Sequence, residues 1–322
     1  MDQNELRYTW GQLSVKSEKE MVRVVKSVSG TGDYASWGVS QEVREVLLKA
    51  TDNWTDVKMP KWEGMRFSIE RIKLEEVEQY VVMELLDEEL EIPFACFCAD
   101  VIESLVDVAS KDRAKTLVGV IDIWDQFFTH SGDKTLPMNR QRGLFAELWW
   151  LRKLLLSEMT DIAAVESWKG AQRKVHDFEH NGKVVEVKST ITKEPRKVII
   201  SNERQLDNRE LESLHLFILT LDVHETGESL PDIVEEIKSH LGKGRAAAKF
   251  RRNLLLAKYL EADAEKYVSR YTKRHEELFK VQEGFPRIIE LPIGTGDLKY
   301  SVQVSACKPF QSDLEEHLGV RG

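Results

Sequence analysis

What this sequence lacks narrows it first. It has three cysteines, Cys96, Cys98 and Cys307, an odd number that cannot form a paired disulfide framework, so a reducing compartment is expected. Cys96-Phe97-Cys98 has no second cysteine pair or histidine cluster nearby to complete four zinc ligands, and buried thiols in a core segment are the expected reading. No apolar run approaches the roughly 20 residues needed to span a bilayer. No signal peptide opens the sequence as given, so a cytoplasmic location and no membrane partner are expected. Internal repeats and low-complexity tracts are missing too. Nor is there a basic surplus: the net charge of −9 argues against a nucleic-acid footprint spread over the whole chain.

What remains is an ordinary globular composition, 42% hydrophobic and 31% charged. At 322 residues the chain has room for about two domains of roughly 150 residues each. Its charge is uneven. Between Asn139 and Ile200 twelve Lys/Arg face eight Asp/Glu, a local surplus of +4 in a chain of net −9. A locally basic segment suits a site that must meet a polyanion.

The chain divides by pattern into an N-terminal α/β region over 1–95, a core over 96–242 and a C-terminal helical and strand extension over 243–322. Met65 to Lys73 and Tyr80 to Leu86 read as strands, and Trp10, Trp37, Trp54 and Trp62 as core packing. Apolar residues recurring at i, i+3 and i+4 predict helices over Ala99–Val108 and Ala114–Phe128. Arg140 to Ser157 is a further amphipathic helix, striped by Leu144, Leu148, Leu151 and Leu155. Glu147 lies against that stripe, either solvated at its margin or turned inward for a purpose. Arg140 and Arg142 at the helix start oppose the helix dipole and so suit a phosphate. Lys197 to Ser201 and Leu214 to Val223 read as strands, the latter apolar on both faces and so covered on both sides. Pro231 to Leu241 and Arg245 to Tyr259 read as helices, with Lys243, Arg245, Lys249, Arg251 and Arg252 a basic cluster at the second helix's start. Beyond Glu283, FPRIIEL and DLKYSVQVS are expected to form a closing pair of strands.

The most informative stretch is Arg173 to Lys188, two short strands joined by Asn181-Gly182, the strongest short hairpin signal. That turn opposes His180 to Lys183, Glu179 to Val184, Phe178 to Val185 and Asp177 to Glu186. Opposed residues share a face with Cβ atoms roughly 4.5–5.5 Å apart, and period-2 alternation adds Lys188 to it. Two adjacent carboxylates repel unless a cation sits between them, and a hard divalent ion is the usual solution. An exposed cross-strand salt-bridge network is the alternative. A histidine metal site is excluded, because His176 and His180 are separated by roughly 13 Å of strand at about 3.3 Å per residue.

Glu147 on a helix, Asp177 on one strand and Glu186-Val187-Lys188 on the next form a motif order that resembles the PD-(D/E)XK nuclease superfamily. The RGLFAELWWL helix, W-x-G…H-D-F, E-V-K-S-T and a late F-P-R are similar, more narrowly, to bacterial PD-(D/E)XK motif proteins of restriction-like defence clusters. His176 stands where the motif's name has proline, a position that supplies no catalytic atom. The resemblance implies an α/β, restriction-endonuclease-like fold, a mixed central sheet flanked by helices. It implies a Mg²⁺-dependent DNA endonuclease, with Mn²⁺ as a substitute. Asp177, Glu186, the Val187 carbonyl and Glu147 would hold metal, and Lys188 would orient water or neutralise charge. Arg140, Arg142, Ser189, Thr190, Arg196, Lys197 and Gln205 are the expected DNA contacts. A homodimer, and an ATPase/helicase or methyltransferase partner from the same defence cluster, are further expectations. The competing reading is a non-catalytic nucleic-acid-binding or scaffold subunit working with an ATPase or helicase; retention of all of Asp177, Glu186 and Lys188 favours the enzyme.

Overall fold

The computed structural model describes residues 3–14, 21–28, 31–37, 44–49, 54, 57–73, 77–105, 108–128, 135–172, 174–242, 244–296, 298–314 and 317. The sequence also predicts a loop at His130-Ser131-Gly132-Asp133; it and Lys243 fall outside them. The chain forms two compact units, Met1–Asp133 with Lys243–Leu256, and Lys134–Gly242 with Ala257–Gly322.

In the first unit, helix α1 (Gln3–Ser14) precedes strands β1 (Met21–Val28), β2 (Thr31–Trp37), β3 (Arg44–Lys49), β4 (Met65–Lys73) and β5 (Val77–Leu85). They form an antiparallel sheet in the order β1-β2-β3-β5-β4. Alternation along β5 sends Val81, Met83 and Leu85 to one face, all buried. Helices α2 (Glu91–Ser104) and α3 (Ser110–Phe128) contribute Phe97, Trp124 and Phe128, which meet Trp62 or one another as stacked or edge-on rings. Trp10, Trp54 and Trp62 are core residues as expected, and Cys96 and Cys98 are buried free thiols on α2. The side chain of Trp37 lies outside the described residues. The helix Arg245–Leu256 also belongs to this unit.

The second unit holds α4 (Met138–Leu155), α5 (Asp161–Ser167), β6 (Phe178–His180), β7 (Lys183–Thr190), β8 (Lys197–Ile200), β9 (Ser213–Ser229) and α6 (Leu230–Leu241). It continues with β10 (Arg270–Lys280), β11 (Tyr300–Gln303) and β12 (Gln311–Ser312). The central sheet runs β12-β10-β9-β7-β6. β7 and β9 are parallel, while β6–β7, β9–β10 and β10–β12 are antiparallel. This is a mixed sheet flanked by helices, the architecture of a restriction-endonuclease-like fold. β9 is buried without interruption from Leu214 to Leu221, as a strand covered on both faces must be. On one face Val184, Leu216, Ile218 and Phe279 pack with Val198 of β8 and Val302 of β11. On the other, Trp150 of α4 meets Phe217 at 4.8 Å between ring centroids.

One expectation is corrected here. FPRIIEL is not a strand; residues 285–292 lie outside regular structure. The strand that joins the sheet is β10, earlier in the chain, and it pairs with β9 from Arg270↔Ser229 to Lys280↔His215. Its apolar signal is weak because much of its contact surface is ionic: Glu276 pairs with Lys153, Glu277 with Arg196 and Arg274 with Asp222. Among the described residues no helix is long and apolar enough to cross a membrane.

Candidate functional site

Asn181 and Gly182 adopt φ of 48° and 75°, the two positive values that a type I′ hairpin turn requires. The turn fixes the pairs His180↔Lys183, Glu179↔Val184 and Phe178↔Val185. The ladder then stops one residue short of expectation, because β6 begins at Phe178. Asp177 therefore does not extend the ladder; its Oδ2 instead accepts the Val187 N–H at 2.8 Å, satisfying a strand donor that β6 leaves unpaired. The Asp177 backbone is gripped as well. Its carbonyl accepts the N–H of Lys169 at 2.7 Å and of Gly170 at 2.9 Å, while Trp168 bridges to Phe178.

Along β7, alternation places Glu186 and Lys188 on one face. Glu186 is 1% exposed. Its Oε1 accepts Lys188 Nζ at 2.5 Å, and its Oε2 is buried with no hydrogen-bond partner among the described residues. A buried polar atom left unpaired costs about 1–3 kcal/mol, so this oxygen points to a group that the described residues do not supply.

Glu147 arrives from α4, which is seated by buried Leu144, Leu148 and Leu151. It turns inward: its Oε2 accepts the Trp168 indole N–H at 2.8 Å. A Cβ built at Gly170 would stand 2.8 Å from both Glu147 Oε2 and Asp177 Oδ1. The two carboxylates thus face each other across the space that Gly170 leaves clear, at no more than twice that distance.

The electrostatics follow from bringing three acids, Glu186 buried and Glu147 and Asp177 half-buried, near one ammonium. Burial pushes Glu186 up from 4.5 to about 8, with Asp177 adding to the rise and Lys188 opposing it. Burial likewise takes Glu147 to about 8, helped by Asp177 and opposed by the Trp168 hydrogen bond, Arg140 and Lys188. Asp177 is also raised by burial, against the pull of Lys188 and the Val187 N–H. For Lys188, burial would lower the pKa, but Glu186 and Asp177 outweigh it and the ammonium is held charged above its ordinary range. One cation is too few for three carboxylates, and hard oxygen donors with an orphaned oxygen fit a divalent ion. Among the described residues no three of His, Cys, Asp or Glu already form a chelating group. The acids stand pairwise, Glu147 with Asp177 across the Gly170 space and Glu186 with Lys188.

The residues expected on DNA scatter. Arg140 is exposed in the first turn of α4, two turns before Glu147 and on the same helical side, and its charge is felt at Glu147 and Asp177. Arg142 is half-buried, with an Nε that has no hydrogen-bond partner among the described residues. Lys197 is exposed on β8, and Ser189 half-buried. Thr190 is buried, its hydroxyl on that of Thr192 at 2.9 Å. Arg196 corrects an expectation: it is buried and ion-paired to Glu277 and Glu194, with a further bond to Thr220, so it braces β10 and offers nothing to a phosphate. Gln205 is also committed, its amide oxygen accepting the Ser201 N–H at 2.8 Å. Within the first unit, Arg252 pairs with buried Asp100 at 2.8 Å and Arg245 with Glu103, so the second basic cluster is partly structural. Trp168 and Gly170 are the site residues whose roles the sequence did not disclose; W-x-G was visible, but not what it touches.

A family model described as "Putative PD-(D/E)XK family member, (DUF4420)" matches residues 6–305. No curated protein and no solved structure matches the chain.

Proposed function

The chain belongs to this PD-(D/E)XK family, which carries a nuclease-like fold, and on that premise we propose that it is a metal-dependent DNA endonuclease serving restriction or anti-phage defence. The observation that supports this most is the buried Glu186 carboxylate, one oxygen on Lys188 and the other with no partner among the described residues, with Glu147 and Asp177 paired beside Gly170. Phosphodiester hydrolysis needs a positioned water and stabilisation of charge on the phosphoryl and leaving oxygens. Asp177, Glu186 and the Val187 carbonyl would hold Mg²⁺, or Mn²⁺ in its place, with Glu147 beside them. Bound there, the ion supplies Lewis acidity and lowers the pKa of its water. Lys188, kept charged by Glu186 and Asp177, orients the nucleophilic water and neutralises charge as a compact ammonium. Arg140, exposed beside the acids, takes a phosphate of the DNA, and Lys197 a second. A homodimer would bring two such sites to the two strands, and an ATPase/helicase or methyltransferase of the same cluster would be the partner.

Plasmid and modified phage DNA incubated with the protein, with and without Mg²⁺ or Mn²⁺, test the reading. Cleavage only with metal is the expected result. Metal-independent binding of DNA without cleavage of any substrate would instead identify a scaffold subunit.

A further inference from the structure

Resting on that reading of the acidic site, we propose that Trp168 and Gly170 are its positioning residues: Trp168 fixes the Glu147 carboxylate, and Gly170 keeps the space between Glu147 and Asp177 clear. Trp168 is fully buried and its indole N–H is a donor only, so the bond to Glu147 Oε2 at 2.8 Å has one polarity and one direction. It holds a long, two-armed side chain that α4 alone would leave free to swing. The backbone of the same short segment grips Asp177 through Lys169 and Gly170, so one three-residue stretch sets both acids relative to each other.

Gly170 is required by space. Its backbone is not in the left-handed region, since it is not among the positive-φ glycines. A methyl group there would nevertheless meet Asp177 Oδ1 and Glu147 Oε2 at 2.8 Å, and the Asp177 Cα at 3.3 Å. Neither acid can step aside cheaply: Asp177 would give up the Val187 N–H and Glu147 the Trp168 N–H. Packing alone would explain a buried tryptophan, but not its N–H on an acid of the cluster or a glycine whose missing Cβ opens onto two carboxylates.

The test reads metal affinity and indole resonances, not turnover. In Trp168→Phe, which keeps an aromatic ring and removes the N–H, Mn²⁺ affinity measured by calorimetry should fall by about 10-fold or more, as for other residues that orient ligands, with the circular dichroism unchanged. Gly170→Ala should lose a similar factor. In a Glu147→Ala background the Trp168→Phe effect should vanish, because the two substitutions remove one interaction. Independently of metal, the Trp168 indole ¹⁵N–¹H peak, assigned through the sequential resonances of the wild type, should move in Glu147→Ala. An unmoved indole peak overturns the proposal, even if Trp168→Phe proves unfolded. So does unchanged Mn²⁺ affinity in folded Trp168→Phe or Gly170→Ala. A wild type that binds no Mn²⁺, with the indole peak still moving, would sink the nuclease reading and leave the Trp168–Glu147 arrangement standing.

Discussion

Lys188 Nζ donates to Glu186 Oε1 at 2.5 Å, while the other oxygen of the same carboxylate is buried with no partner among the described residues. This half-satisfied pair is the centre of the site. A purely structural ion pair would have reason to satisfy both oxygens, since breaking or half-pairing buried charge is costly.

That imbalance has a pH signature. A carboxyl group whose pKa is higher folded than unfolded stabilises the fold while protonated, and the contribution is lost as pH rises through the interval. For Glu186 that interval runs from 4.5 to about 8, and for Glu147 it is the same. The metal-free protein should therefore lose stability between those values. In Glu186→Gln the loss should be shallower, so the variant gains on wild type as pH rises. Urea midpoints at pH 5 and pH 8 measure it, and equal slopes in the two proteins would contradict the assignment.

Metal should reverse the penalty. A ligand that binds only the native state at 100 times its Kd adds about 2.7 kcal/mol. Mg²⁺ should raise the Tm of wild type and leave that of Asp177→Ala unmoved. A Tm rise of equal size in both would place the ion elsewhere.

Legibility was uneven, for physical reasons. The hairpin was readable because Asn181-Gly182 encodes its own turn, and the turn dictates the register that brings Glu186 and Lys188 to one face. The α4 stripe predicted its own burial, but left open whether Glu147 at its edge turned inward or to solvent. β10 was not readable, because RYTKRHEELFK spends its contact positions on ion pairs with Lys153, Arg196 and Asp222 and shows no alternation of apolar residues. Arg196 was misjudged for the same reason, its partner Glu277 lying on that unseen strand. The Asp177–Val187 bond and the Trp168–Glu147 bond join segments through tertiary packing, which no local pattern carries.

The ion pairing of Arg196 separates it from Arg140 and Lys197, the cations proposed to meet DNA. Arg196→Ala removes the partner of half-buried Glu277 and should destabilise the protein by about 1–3 kcal/mol. Arg140→Ala and Lys197→Ala should leave stability within about 0.5 kcal/mol. Each should instead flatten the dependence of log K for DNA on log salt by about one unit. Denaturation curves and salt titrations of the three variants check this; a flattened slope in neither Arg140→Ala nor Lys197→Ala would mean that the DNA does not cross this face.

The most direct measurement is the single-turnover rate of duplex cleavage in Mg²⁺ by Lys188→Ala beside wild type, with Mn²⁺ binding followed in parallel. The site described here predicts that Lys188→Ala keeps its Mn²⁺ affinity within a few-fold and loses about 100-fold or more in rate, as expected when a group acting on transition-state charge is removed. A Lys188→Ala protein that cleaves as fast as wild type would contradict it.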